Sequence, residues 1–127
     1  MKKISITHIN NRHNDWLWAT SFYLQEIEIL KKRLTEIAGK NTNADMLPQV
    51  EHYENQYRIQ ADQLDRLNHD IEAYVATLAR EASESKAGYV EADLLEQHEL
   101  LDERYQQEAT IVNDLRHEFN RFATQWM

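Results

Sequence analysis

The chain has 127 residues, a formal net charge of −8 and no cysteine, which predicts a single domain over residues 1–127 and excludes disulfides and thiolate metal sites. Ten acids and two bases lie between residues 70 and 103, called the acidic segment below, whereas twelve acids and twelve bases share the remainder. Because such a segment repels phosphate groups, we expect neither nucleic acid nor a membrane surface as partner, and a basic protein segment or a cation suits its charge better.

The start of the chain does not resemble a secretory signal. Met1, Lys2 and Lys3 precede no continuous apolar region, and the longest uncharged apolar stretch, residues 16–24, is too short to cross a bilayer. A cytoplasmic location is therefore the expectation. Ile4 and Ile6 alternate with polar residues, which predicts an extended or disordered arm over residues 1–10.

Helix 1 is predicted to begin at Asn11 or Asn14, either of which can cap the first free amides, and to end at Ala38 with Gly39 in a left-handed conformation. Trp18 and Phe22 lie off its main apolar stripe and are candidates for an exposed patch that contacts a partner. The predicted core stripe consists of Trp16, Ala19, Tyr23, Ile27, Leu30, Leu34 and Ile37.

Helix 2 follows a polar loop, with Asp45 as its cap and Pro48 in its first turn, and continues to about Ser83. A turn at residues 83–88 then leads to helix 3, which begins near Asp93 and runs close to the C-terminus. Since glycine and proline occur only at positions 39, 48 and 88, both helices should be unbroken over residues 50–80 and 92–122.

Both long helices carry an apolar repeat with steps of three and four residues, which is typical of helices packed as a coiled coil. The predicted stripe of helix 2 is Leu47, Val50, Glu54, Tyr57, Ala61, Leu64, Asn68, Ile71, Val75, Leu78 and Ala82. The predicted stripe of helix 3 is Leu94, His98, Leu101, Tyr105, Glu108, Val112, Leu115, Phe119, Phe122 and Trp126.

The predicted fold is therefore all-α: an antiparallel, up-down-up helical bundle with a long helix 2 to helix 3 hairpin and a shorter helix 1 packed on one end. Helix 1 should leave residues 71–102 as an uncovered two-helix arm. We expect the arms of two chains to complete a four-helix bundle in a homodimer, because exposed apolar side chains favour association. The predicted interaction residues are Leu67, Tyr74, Leu95 and Leu100.

The polar residues on the stripes are interpreted as a structural polar core made of Glu54, Asn68, Tyr105 and Glu108. A buried carboxylate needs a partner, and arginines on the same or the neighbouring helix could supply one for each glutamate. Asn68 is predicted to contact Tyr105 and to fix the register of the helices.

Histidine and carboxylate side chains near the start of helix 1 suggest a divalent metal such as zinc, which nitrogen and oxygen ligands bind. His13, His69 and Asp70 should come to a similar height, with Asp102 nearby and His98 four residues before it. No nucleophile, oxyanion donor or paired general base accompanies the polar residues, so no catalytic residue is predicted.

Four sequence segments resemble a group of small uncharacterised all-helical bacterial proteins with no assigned activity. The segments are His13-Asn14-Asp15-Trp16-Leu17 with Ser21-Phe22-Tyr23, residues 50–57, Leu67-Asn68-His69-Asp70-Ile71, and Phe119-Asn120-Arg121-Phe122 with Trp126-Met127. The resemblance implies a helical bundle and lends no activity, because none is assigned to the group. The favoured function is a non-enzymatic structural or protein-interaction helical module that self-associates without a cofactor, and the alternative is a metal-binding helical bundle.

Overall fold

A computed structural model of the chain describes residues 6–41, 43–84 and 92–126. They form three helices, α1 (Ile6–Lys40), α2 (Leu47–Glu84) and α3 (Ala92–Trp126), with a short 3-10 turn at Ala44–Met46 before α2. The protein is thus an all-α bundle, and α2 and α3 run without a break, as the absence of interior glycine predicted. No helix in these ranges has the length and apolarity needed to cross a membrane.

The helices alternate in direction, so that α2 is antiparallel to both α1 and α3, and α1 is parallel to α3. Residues early in one helix therefore contact residues late in its antiparallel neighbour. The contacts between antiparallel helices are Thr20–Asn68, His52–Glu118 and Tyr74–Leu94. Arg12–Asp102 and Arg33–Asn120 instead join the early parts and the late parts of the parallel helices α1 and α3. The predicted up-down-up topology is confirmed.

Helix α1 begins at Ile6, earlier than the predicted start at Asn11 or Asn14. Ile9 is fully buried and packs in the same apolar cluster as Trp16. The two side chains lie seven residues apart and hence on one face of a helix, so burying Ile9 favours two further helical turns. The predicted arm is therefore wrong for residues 6–10, and residues 1–5 lie outside the described ranges.

The end of α1 also differs from the prediction, because Gly39 is helical and the helix continues to Lys40. The side-chain amide of Asn41 donates to the carbonyl of Ile37 at 2.8 Å and to that of Trp126 at 3.3 Å. An asparagine amide thus satisfies carbonyls that a helix end leaves free, and no left-handed glycine is required.

At the start of α2 the capping residue is Asn43 rather than Asp45. The Asn43 side chain accepts a hydrogen bond from the backbone N–H of Asp45 at 2.9 Å and caps the 3-10 turn that leads into the helix. Pro48 lies in the first turn of α2, where its missing N–H costs nothing, as predicted. Residues 85–88 of the predicted second turn lie outside the described ranges.

The buried apolar side chains form two clusters along the bundle. The first cluster, around the α1–α2 connection, contains Ile27, Leu30, Leu34, Ile37, Met46, Val50, Tyr53, Tyr57, Leu64, Val112, Leu115, Phe119, Phe122 and Ala123. The second cluster, toward the other end, contains Ile9, Trp16, Leu67, Ile71, Tyr74, Leu78, Leu94, Leu95 and Leu101. Since α1 contributes to both clusters, it covers more of the hairpin than its predicted length allowed.

The longer α1 changes the predicted two-helix arm. Leu67, Tyr74 and Leu95 were expected to lie uncovered, but they are buried inside the chain at 1%, 4% and 9% exposure. Only Leu100 of the four predicted interaction residues remains exposed, at 55%. Most of the predicted apolar surface that was expected to drive association of two arms is therefore buried within the chain.

Candidate functional site

The outer face of α1 carries three large apolar side chains that the fold leaves in solvent. Trp18 is 77% exposed, Phe22 43% and Ile29 54%. Because they follow at intervals of four and seven residues, they lie within about 40° of the helix circumference. We call Trp18, Phe22 and Ile29 the outer stripe, and the sequence patch predicted at Trp18 and Phe22 is indeed exposed.

The outer stripe is a consequence of the way α1 meets the core. Its buried face, which includes Trp16, Thr20 and Ile27, lies roughly opposite, so the stripe cannot be reached by α2 or α3. The rings of Trp18 and Phe22 stack on each other, with centroids 6.5 Å apart and planes 6° apart. Two stacked rings in solvent present one continuous apolar surface.

Large apolar side chains are also exposed on the other two helices, but they are scattered. Leu47 and Ile59 on α2 lie twelve residues apart, and Leu100 and Ile111 on α3 lie eleven apart, and neither pair has a further exposed large apolar side chain between its members, as Trp18 and Ile29 have in Phe22. Single exposed apolar residues are ordinary on a protein surface, whereas a contiguous patch is uncommon and marks an interaction site. The outer stripe is therefore the stronger candidate surface.

A second notable feature is a buried pair of histidines, one from α1 and one from α3. The Nε2 atom of His13 lies 3.4 Å from the Nδ1 atom of His98, and the residues are 1% and 7% exposed. Trp16 stacks on the His98 ring, and Tyr74 meets the His13 ring edge-on, each with centroids 5.0 to 5.1 Å apart. An aromatic cage thus encloses two imidazoles.

Burial makes protonation of this pair unfavourable. Desolvation, with a further contribution from neighbouring His98, lowers the pKa of His13 from 6.5 to about 4. Desolvation also lowers the pKa of His98, although the nearby carboxylate of Asp102 opposes the effect. Both rings are therefore neutral at pH 7.

The predicted metal ligands do not come together as one group. His13 and His98 meet, but Asp102 pairs with Arg12 at 3.1 Å, and Asp70 pairs with Arg104 at 2.8 Å. His69 is exposed on the surface of α2. Within residues 6–41, 43–84 and 92–126, no three side chains of the metal-binding types are placed to share an ion.

The predicted polar core is only partly buried. Glu54 is exposed, so its placement on the core stripe was wrong. Asn68 is half-buried, and its Oδ1 atom lies 3.5 Å from the hydroxyl of Thr20 rather than against Tyr105. Tyr105 is half-buried and stacks on Trp16 at 5.9 Å.

Glu108 is half-buried, and its partner is a residue that the sequence did not reveal. With its amide nitrogen directed toward the carboxylate, Gln60 donates to both oxygens of Glu108 at 2.9 and 3.1 Å. Burial raises the pKa of Glu108, and Arg104 works in the opposite direction. Gln60 is itself 7% exposed, so this is a buried polar contact between α2 and α3.

In comparisons with known proteins, no protein-family model, curated protein or solved structure matches this chain. The resemblance to small helical bacterial proteins therefore stays a prediction.

Proposed function

We propose that this protein is a non-enzymatic helical interaction module that self-associates through the outer stripe of α1. The observation that carries the proposal is Trp18, which is 77% exposed beside Phe22. Tryptophan is among the residues that contribute most to binding when an interface buries it. Within the described residues, the Trp18 ring stacks on Phe22 and otherwise faces solvent.

The expected association is moderate in strength. A side chain of the size of Phe22 or Ile29 contributes roughly 1.5–3 kcal/mol when it passes from full exposure to burial. Association in turn costs free energy because the two chains lose translational and rotational freedom and must order their side chains. A stripe on one helix therefore supports a dimer that forms and dissociates with protein concentration.

The histidine pair supports a structural role in place of a catalytic one. A general base must reach the proton that it removes, within hydrogen-bond distance or through one water molecule. His13 and His98 are 1% and 7% exposed and lie against Trp16 and Tyr74, and the Tyr74 hydroxyl donates to the carbonyl of Leu94 instead of to an imidazole. Packing explains both rings.

Light scattering across a wide range of protein concentration tests the proposal, with Trp18→Asp as the disrupting variant. Leu47→Asp is the matched control, because Leu47 is 57% exposed on another helix and the substitution adds the same charge. We expect a concentration-dependent dimer for the wild type and the control and a monomer for Trp18→Asp. A wild-type protein that stays monomeric at every concentration would refute the proposal.

The proposed interface differs from the one expected on the arm. Burial of Leu67, Tyr74 and Leu95 within the chain leaves Leu100 alone of the four residues predicted for that contact. A single exposed leucine does not distinguish an interface from ordinary surface. The homodimer interface that we propose is therefore on α1, not on the arm.

Metal binding is a second candidate function, and one distance favours it. Two nitrogens that share a tetrahedral zinc ion at about 2.0–2.1 Å lie roughly 3.3 Å apart. The His13 Nε2 and His98 Nδ1 atoms are 3.4 Å apart. A third ligand would require Asp102 to leave Arg12, which it contacts at 3.1 Å.

Measuring the zinc content after dialysis distinguishes the interaction module from the metal-binding bundle. The proteins to compare are the wild type, His13→Gln and the surface control His69→Gln. One zinc per chain, lost only in His13→Gln, would favour the metal site. Zinc content at background in all three proteins would leave the interaction module as the function.

A further inference from the structure

We infer that self-association pairs α1 with α1 of a second copy in an antiparallel, two-fold symmetric contact centred between Tyr23 and Leu24. This inference rests on the proposed function and adds the orientation and register of the interface. A two-fold contact uses the same surface on both chains, so the outer stripe must complement itself. Three observations fix this arrangement.

The first observation is the spacing of the outer stripe. Trp18 and Ile29 lie at equal distances on either side of the midpoint of residues 23 and 24. In an antiparallel pair the ring of Trp18 therefore lies level with Ile29 of the second copy, and the reverse holds across the axis. The two Phe22 rings flank the centre, about 4–5 Å apart along the helix axis. Trp18 and Ile29 thereby each meet an apolar side chain of the other copy, and each Phe22 lies level with the exposed Gln25 of the other copy and close to its Phe22.

The second observation is the charge at the two ends of the stripe. Asp15 precedes it and Lys32 follows it, both are exposed, and they are also equidistant from the midpoint. Antiparallel pairing sets each carboxylate level with an ammonium group of the second copy. Parallel pairing would set like charges side by side, which is unfavourable.

The third observation is where the acidic segment lies along α1. The N-terminal half of α1 contacts this segment through Arg12–Asp102 and His13–His98. The C-terminal half contacts the neutral part of the chain through Arg33–Asn120.

A parallel dimer would hold the described parts of the two acidic segments, residues 70–81 and 92–103 of each chain, next to one another. An antiparallel dimer places them at opposite ends, separated by more than the screening length of about 8 Å at physiological ionic strength. The repulsion that opposes a dimer is thus smallest in the proposed orientation.

Because the chain has no cysteine, single cysteine substitutions can report the register directly. Gln25 and Glu36 are both exposed on the outer face of α1. In the proposed dimer a residue at position 25 lies about 4–5 Å along the axis from the same residue of the second copy. A residue at position 36 lies roughly 37 Å from its counterpart.

Treatment with a short thiol-specific cross-linker should therefore give a covalent dimer with Gln25→Cys and none with Glu36→Cys. Cross-linking of Glu36→Cys, alone or together with Gln25→Cys, would overturn the antiparallel register. So would the absence of cross-linking in both variants when light scattering shows a dimer. A monomeric wild type would instead refute the proposed function itself, so the two failures are distinguishable.

Charge reversal gives an independent measurement of the same contact. Asp15→Lys and Lys32→Glu each create like-charged neighbours across the interface, and each should weaken the dimer roughly two- to five-fold, the range of exposed ion pairs. The double variant restores opposite charges and should recover the wild-type dissociation constant. Equal losses that simply add in the double variant would contradict the pairing.

Discussion

The Nε2 atom of His13 and the Nδ1 atom of His98 lie 3.4 Å apart between α1 and α3, inside a cage of aromatic side chains. The pKa of His13 is about 4 in the folded chain and 6.5 without the fold, so the unfolded state binds more protons between these values. The contribution of neutral, buried His13 to the free energy of unfolding is therefore fully present above pH 6.5 and is lost progressively as the pH falls through 4. The pKa difference corresponds to roughly 3 kcal/mol in total.

Thermal unfolding of the wild type and of His13→Phe between pH 4 and 7 tests this expectation. Phenylalanine fills a similar volume and cannot bind a proton, so His13→Phe should flatten the dependence of the melting temperature on pH. His69→Gln, on the surface, should keep the wild-type slope. An unchanged slope in His13→Phe would show that other groups cause the acid sensitivity.

The contact between Gln60 and Glu108 predicts a coupled pair of substitutions. Gln60→Met keeps the size of the side chain but leaves the half-buried carboxylate without its donor, which should cost about 1–3 kcal/mol at pH 7. Since burial already raises the pKa of Glu108, the loss should shrink as the pH falls and the carboxyl group takes up its proton. Urea unfolding of Gln60→Met, Glu108→Leu and the double variant would measure the coupling. Strictly additive losses would contradict a direct contact.

Two buried tyrosines differ in whether the hydroxyl is bonded. The Tyr53 hydroxyl donates to the carbonyl of Glu118 at 3.2 Å, whereas that of fully buried Tyr57 has no partner in the described part of the chain. Tyr57→Phe should therefore leave stability unchanged or raise it by about 1 kcal/mol, and Tyr53→Phe should lower it by a similar amount. Denaturation curves of the two variants provide the comparison, and a loss in Tyr57→Phe would reveal an unrecognised partner.

Asn68 offers a further gain in stability. The Thr20 hydroxyl, 3.5 Å from Asn68, also lies 3.0 Å from the carbonyl of Leu17, so it keeps an acceptor when the asparagine is removed. Asn68→Leu should therefore raise stability by about 1 kcal/mol, because an apolar side chain replaces a half-buried amide and leaves no group unpaired. Calorimetry measures the change. A lower melting temperature would mean that the amide makes a stronger contact than Thr20 provides.

The fold followed from helical spacing, but the inner face of α2 was predicted one residue out of place. At every second position of the predicted stripe, the buried residue is the one just before the predicted residue. The buried residues are Tyr53, Gln60, Leu67 and Tyr74, and the predicted ones were Glu54, Ala61, Asn68 and Val75. An apolar repeat with steps of three and four residues can start at either of two neighbouring residues of a helix, and the predicted register placed polar residues in the core. The neighbouring register replaces Glu54 and Asn68 with Tyr53 and Leu67, and this gain in apolar burial was the signal that it is correct. The stripe of α3 was free of this ambiguity, and its predicted residues are buried or half-buried.

The candidate site was harder to predict because it depends on the relation between helices. His13 and His98 meet because α1 runs parallel to α3 and brings its early turns beside the early turns of α3. The sequence named both residues but also Asp70 and Asp102, which instead pair with arginines on neighbouring helices. The spacing of residues along one helix could not show with which carboxylates the arginines of a neighbouring helix would form ion pairs. Trp18 and Phe22 were predictable, since departure from an apolar stripe is a property of one helix alone.

The last prediction concerns the dependence of the dimer on salt. Each chain carries a net charge of −8, so two chains repel at long range, and the repulsion is screened over about 8 Å at physiological salt but over about 30 Å at 0.01 M. The exposed pair of Asp15 with Lys32 of the second copy contributes at most ~1 kcal/mol, and salt weakens it. Because burial of Trp18 and Phe22 does not depend on charge, the dimer should become tighter as salt is raised from low to physiological concentration. Sedimentation equilibrium at several salt concentrations measures this trend, and dissociation with rising salt would indicate that ion pairs, not the outer stripe, hold the two chains together.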